Sequence, residues 1–342
     1  MKFKTIYDEK LPGCYVVGSM GNSNNKSVVF ASEKEGGPIV RIDLETLEQE
    51  VLCEKPGGCM NVIELKGESE SFLAIQKFFP IFRSEEAVVI WGRKIEGKYQ
   101  YKEILKLPFA HRIDVVSYGG NDYLMAASLC ATKDSIDDWT HPGGVYAGKI
   151  DYEKQEIVDV QEICGNILKN HGFTKIGEKG EGGVLISGDC GVFLLKPPQK
   201  EGGKWSKEAY ISTPASDAVV VKTDDSELEI GVIEPFHGNL FRIYKGKEKR
   251  EVIYELEGQH DFGHAIWGGI FNGKKSFIVG FRGEGKELYL ITIKEDKYTA
   301  ELIEAGAGTS NVTVIQVNDK DYICAANLES NRCTIYRQAE SM

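Results

Sequence analysis

Four stretches of the chain share one pattern of apolar and polar positions: "MNVIELKGESESFLAIQKF" (60–78), "HRIDVVSYGGNDYLMAASL" (111–129), "HAIWGGIFNGKKSFIVGFR" (264–282) and "SNVTVIQVNDKDYICAANL" (310–328). Each reads as an apolar strand, a polar turn carrying Gly, Asp or Asn, and a second, more apolar strand, which is a hairpin signature. A third strand follows each, "AVVIWGRK", "GGVYAGKI", "ELYLITIK" and "RCTIYRQ". A more charged fourth comes after three of them, "YKEILKLP", "EIVDVQEI" and "YTAELIEA". Two further units fit over 171–215 and 217–258, and another runs from Cys14 to about Glu54.

First strands therefore begin near 14, 59, 111, 171, 216, 264 and 310, which puts successive starts 45, 52, 60, 45, 48 and 46 residues apart. Such a period predicts a repeat architecture in which each unit buries its faces against its neighbours. The last unit has only three strands, and the orphan segment "MKFKTIYDE" supplies the missing fourth. Closing the ring in this way removes exposed sheet edges. The pattern predicts an all-β chain, a seven-bladed β-propeller of four-stranded antiparallel blades, as one domain over 1–342. Helix signals are nearly absent, and only "SIDDWTH" (135–141) predicts a turn of helix, inside a long loop. No third strand ends in Trp-Asp, so the repeat is not of the WD type.

Composition sharpens the partner classes. A formal net charge of −11 with no basic stripe argues against nucleic acid; the longest basic cluster, "YKGKEKRE" (244–251), is diluted by acids and reads as a hairpin edge. No apolar run approaches the roughly 18 residues of a membrane helix, and "MKFKTIYDEK" lacks the apolar stretch of a signal peptide. Eight cysteines are scattered without a CxxC pair, several inside apolar strands such as "YICAANL". They read as small buried hydrophobes in a reducing compartment, and the cytoplasm is the expected location. No serine nucleophile elbow, P-loop or dinucleotide fingerprint is present. The glycine-rich "GFRGEGKE" is followed by no helix, which leaves it weak as a phosphate cradle.

The candidate chemistry lies in the six histidines. On the propeller map, starts of first strands and ends of second strands share one face. His111, His171 and His264 open first strands, His260 precedes one, His237 follows a second strand, and His141 lies in the long loop of the third blade. The expectation is a ring of imidazoles at the channel mouth, joined by Lys77, Arg112, Trp139, Asp189, Glu234, Arg282 and Asn327. Trp91 and Trp267 read as core, and Trp205, on the opposite face, as packing. Histidines transfer protons near neutral pH. Converging imidazoles also suit a divalent ion (Ca, Mn or Zn), with His171, His237 and His264 as ligands. Lys77, Arg112 and Arg282 suit an anionic ligand such as a uronate. These are the parts of a β-elimination: a cation neutralises the carboxylate and a base takes the acidified α-proton.

The segments "HRID", "HGF", "EPFHGNLFRIY" and "GHAIWGG" resemble those of propeller carbohydrate lyases, namely the rhamnose–glucuronate lyases and the propeller part of aldos-2-ulose dehydratases. Oligogalacturonate lyases are a looser parallel, with a histidine-bound metal at the axis. The resemblance implies a lyase acting on a uronate-containing oligosaccharide or glycoside. It implies His111, His171, His237 and His264 as site residues, without assigning the base. The expected partner is a small anionic carbohydrate. Two other readings compete: a non-catalytic propeller that binds a sugar in the channel or docks a protein on a rim carrying Phe79, Phe236 and Trp139, and a metal-dependent lactonase or isomerase, which uses the same parts.

Overall fold

The second strand of most blades is apolar on both faces, and the fourth is polar on one. That gradient places each second strand between neighbouring blades and each fourth strand at the rim. The computed structural model describes residues 2–22, 25–68, 70–79, 83–200, 203–222, 228–246, 250–295 and 297–339. It contains seven separate four-stranded sheets, all with antiparallel neighbours. Their first strands are Cys14–Asn22, Asn61–Glu64, Ala110–Tyr118, Gly172–Ile176, Asp217–Lys222, Gly263–Phe271 and Thr309–Val317, which open blades 1 to 7 in that order. Each first strand touches the first strand of the next blade, and that of blade 7 touches that of blade 1, so the ring closes around an axis. The chain is a seven-bladed β-propeller.

Burial follows the sequence pattern. The second strands Ser71–Gln76 and Gly183–Gly188 are buried at every position, whereas the fourth strand Lys98–Lys106 is largely exposed. The inter-blade cores are apolar, and ion pairs such as Lys175–Asp114 and Lys275–Glu229 bridge neighbouring blades outside them. At the closure, Val28, Phe30 and Ile42 of blade 1 pack with Ile315, Cys324 and Ile335 of blade 7 in one cluster. The N-terminal strand Phe3–Lys10 is the outermost strand of blade 7 and pairs with Arg332–Gln338. Six of the eight cysteines are buried, and all are free.

One expectation fails. Residues 135–141 form bends and a turn rather than helix. There Asp138 accepts hydrogen bonds from the backbone N–H groups of Asp134 and Thr140, a local turn that competes with helix. The helical turn among the described residues is a 3₁₀ segment at Ser84–Glu86. No helix among the described residues is long and apolar enough to cross a membrane.

Candidate functional site

Every first strand enters through the same three-residue device. The units are Gly13-Cys14-Tyr15, Gly58-Cys59-Met60, Phe109-Ala110-His111, Lys169-Asn170-His171, Pro214-Ala215-Ser216, Phe262-Gly263-His264 and Gly308-Thr309-Ser310. In six of the seven the leading residue is left-handed, with φ from 51° at Lys169 to 67° at Gly13. The middle residue is small and buried in all seven. The third residue is Tyr15, His111, His171 and His264 in blades 1, 3, 4 and 6, and these four side chains meet. In blades 1, 3, 6 and 7 the strand ladder skips it, so Tyr15, His111, His264 and Ser310 each sit in a β-bulge. A bulge re-aims the side chain it leaves unpaired. Here the bulges at Tyr15, His111 and His264 bring three side chains together, while Ser310 accepts from His264 through its carbonyl and donates from its hydroxyl to the Tyr15 carbonyl.

The result is a cluster drawn from blades 1, 3, 4, 5 and 6. The Tyr15 hydroxyl of blade 1 lies 3.2 Å from His111 Nε2 of blade 3 and 3.2 Å from His264 Nε2 of blade 6. The His171 ring stands 4.6 Å from that of His111 and 5.1 Å from that of His264, centroid to centroid. His237 comes from the loop after the second strand of blade 5, at a left-handed φ of 47°. Its Nε2 is 3.5 Å from His171 Nε2, long for a hydrogen bond. One ligand atom from each of His171, His237 and His264 lies within 4.8 Å of the others.

The backbone sets two tautomers. His264 Nδ1 is 2.7 Å from the Ser310 carbonyl, and His171 Nδ1 is 3.3 Å from the Ser216 carbonyl. A carbonyl can only accept, so both Nδ1 atoms carry the proton and both Nε2 atoms present lone pairs to the axis. Metal-binding histidines are usually held by this kind of outer hydrogen bond. His111 differs, because its buried Nδ1 has no hydrogen-bond partner.

A stack of rings covers the cluster. The His237 imidazole is sandwiched between Phe236 (centroids 4.0 Å apart) and Phe262 (4.5 Å). The Lys169 ammonium sits 5.6 Å from the Phe236 ring centre and the Arg282 guanidinium 5.0 Å from that of Phe262. Both cations are tethered, Lys169 to Asp189 at 3.1 Å and Arg282 to Glu329 at 2.8 Å. Trp139 packs edge-on against Phe236 at 4.9 Å, which brings the long blade 3 loop to the mouth. Phe78 closes the His111 side at 5.9 Å.

Burial and nearby cations keep the imidazoles neutral. His111, His171 and His264 are held well below the usual histidine range, first by burial, then by Arg112, Arg282 and one another. His237 is lowered to about 3, by burial and then by Arg282, Arg112 and Lys169. Burial raises Tyr15, while Arg112 and Arg282 pull it back down. Deeper along the channel the buried Arg112 faces the buried Asp217 at 3.9 Å. That pairing crosses Gly172, where a Cβ would lie 2.9 Å from Asp217 and 1.7 Å from Ser187 Oγ. Burial raises Asp217 to about 6 against the pull of Arg112. The neutral imidazoles are bordered by three cations, each paired with a carboxylate: Lys169 with Asp189, Arg282 with Glu329 and Arg112 with Asp217.

Of the residues expected here, His111, His171, His237, His264 and Arg112 meet at the axis. Arg282, Trp139 and Asp189 border the covering stack. Five expectations need correcting. His260 stacks on Phe281 at 4.5 Å and donates from Nε2 to the Glu257 carbonyl, so it is interior packing of blade 6. Lys77 is left-handed and turns outward to Glu103 on the fourth strand of blade 2. Asn327 is buried inside blade 7, bonded to Thr309, Thr334 and Tyr336. His141 is held in its own loop, 3.5 Å from Asp138. Glu234 is likewise internal, accepting from Tyr244, Arg242 and Thr213. In each case a polar residue at a strand end found a partner within its own blade or loop.

Tyr15, Phe262 and Asp217 belong to the site but are not singled out by residue type. Aligning the seven three-residue units places Tyr15 in register with the histidines, which is the signal that finds it.

No family model matches the chain, and no curated protein does. Solved structures do match over nearly all of its length. A chain from a crystal structure of BBS1N in complex with ARL6DN has a TM-score of 0.63 at 11% identity, covering 99% of this chain and 98% of that one. A putative 6-phosphogluconolactonase from Bacteroides fragilis gives 0.60 at 15%, covering 96% and 90%. A chain of a mitotic checkpoint complex gives 0.62 at 9%, covering 98% and 92%. At these identities the likeness is one of fold: the chain shares the propeller architecture with proteins of unrelated work.

Proposed function

We propose that this propeller is a metal-dependent lyase, holding a divalent ion between His171, His237 and His264 and acting on a small carboxylate-bearing sugar by β-elimination. One observation carries the reading: three neutral imidazoles converge at the axis, two of them with lone pairs fixed inward by backbone carbonyls. The 3.5 Å between the Nε2 atoms of His171 and His237 is close to the roughly 3.3 Å that two nitrogens keep on a tetrahedral ion with bonds of about 2.0–2.1 Å. An all-nitrogen donor set suits zinc or another late first-row ion better than calcium, which takes oxygen.

The bound ion would neutralise the substrate carboxylate and so acidify the adjacent proton. Arg282 and Lys169, each shared with a carboxylate, would border the path of the anion past Trp139 and Phe236. Tyr15 is the group placed to move the proton. With His264 Nε2 engaged, its hydroxyl is left with His111 Nε2 as acceptor; burial raises its pKa, so it moves a proton in concert with His111 and does not stand as a free phenolate. Tyr15 hands its proton to His111 as it takes the substrate α-proton. The carbon–oxygen bond at the β-carbon then breaks as the carbon–carbon double bond forms, and the Tyr15–His111 pair returns one proton to the departing oxygen.

The test is elemental analysis before and after chelation, with an ultraviolet scan for new unsaturation on a panel of uronate oligosaccharides. One equivalent of metal, lost in His171→Ala, His237→Ala and His264→Ala while the fold persists, supports the centre. Metal without turnover favours a sugar-binding propeller, a reading to which the near-complete burial of three imidazoles also points. A well-folded protein with neither metal nor product would overturn the proposal.

A further inference from the structure

Between blades 3 and 4, at the end of the first strand remote from His111, lies a cavity of about 340 Å³. That is within the range of small-ligand pockets, roughly 300–1,000 Å³. Its walls are aromatic. Tyr118 and Tyr123 are stacked at 4.0 Å with rings 11° apart, and Trp205 stands perpendicular to Tyr118 at 5.6 Å. Ala147 and Ile163 add apolar surface, and Lys149, Asp159 and Gln161 supply the polar lining.

We propose that this pocket binds one uncharged pyranose ring of a saccharide, as a second ligand site separate from the axial cluster. Three features point to that ligand. First, the rings are only half-buried, so aromatic surface stays open to the cavity. Apolar C–H faces of a sugar pack on such surface, and a Tyr or Trp pairs it with a polar tip. Second, the polar groups are idle. Among the described residues, neither Lys149 nor Asp159 has an ion-pair partner, and the Gln161 amide, Tyr123 hydroxyl and Trp205 indole N–H make no hydrogen bond, whereas nearby Lys102, Lys154 and Lys207 are engaged by Glu156, Asp151 and the Phe193 ring. Idle donors and acceptors around one space are what a polyhydroxylated ring satisfies. Third, one cation and one carboxylate leave the lining without net charge, which selects against an anionic sugar. A quaternary ammonium ligand fits less well, because the stacked Tyr118 and Tyr123 leave only outer faces open and do not converge on one point as the walls of an aromatic cage do.

The experiment titrates the full chain with cellobiose and lactose, reading tryptophan fluorescence and saturation-transfer NMR. Tetramethylammonium serves as the competing probe. Saturable binding of a neutral disaccharide is expected, weakened about tenfold or more in Trp205→Ala and Tyr123→Ala and unchanged in His171→Ala. If Trp205→Ala fails to fold, Lys149→Ala and Gln161→Ala on the surface carry the same expectation. No disaccharide binding, binding that survives all four pocket variants, binding lost in His171→Ala, or preference for tetramethylammonium would each overturn the proposal. None of these outcomes depends on whether the axial site holds a metal.

Discussion

Two residues at the axis can be tested without disturbing the blades. Tyr15→Phe keeps the ring and removes the hydroxyl shared by His111 and His264. A proton-transfer role predicts a fall in turnover of about a hundredfold or more, with metal content unchanged; equal loss of metal would make Tyr15 a ligand instead. Asp217 gives a pH prediction with a definite sign. Its folded pKa is raised to about 6 from 3.8. The folded state therefore holds a proton that the unfolded state has lost, and stability falls as pH rises through that window. Asp217→Asn removes the titration, so the variant gains on the parent by about 2–3 kcal/mol between pH 4 and pH 7. Denaturant melts at the two pH values measure this. At this scale the histidines were legible by residue type, because few side chains offer a lone pair near neutral pH. His260, Lys77 and Asn327 were not separable from them, since the sequence does not tell which strand-end polar group finds a partner in its own blade.

The three-residue entry is what turns strand starts into a site. It uses left-handed backbone at its first position, which glycine adopts freely and other residues adopt at a cost of about 1–2 kcal/mol. Opposite substitutions at equivalent positions should then act oppositely. Gly58 has φ 65°, and a Cβ there would lie 2.7 Å from the Phe78 backbone nitrogen, so Gly58→Ala should cost more than about 1 kcal/mol. Lys169 has φ 51°, and Lys169→Gly should stabilise by up to about 1 kcal/mol, less the ion pair with Asp189. Thermal melts compare the two, and a destabilised Lys169→Gly would show that the ammonium over Phe236 matters more than the backbone. The strands themselves were readable because period-two alternation and Gly/Asn turns are local signals. The bulges were not, since a one-residue skip leaves the apolar pattern almost unchanged.

For the whole molecule, the ring is held by the pairing of Phe3–Lys10 with Arg332–Gln338, reinforced by the Arg332–Asp8 ion pair. Removing residues 2–10 would bare an edge strand and uncover the blade 7–blade 1 seam. The expected result is a lower melting temperature and association in size-exclusion chromatography; a monomer melting like the parent would mean that closure contributes little. The propeller was legible in the sequence alone, because seven units of similar length and a spare first strand admit few other ways to bury their apolar faces. The sequence also determined the acidic balance and the stock of imidazoles. Tertiary structure alone decided which groups meet. Tyr15, His111, His171, His237 and His264 come from five blades spread over 250 residues, and only closure of the ring brings them within hydrogen-bonding and ring-contact distance. Their neutrality was decided there too, because burial and the fields of Arg112 and Arg282 exist only once the blades surround the axis.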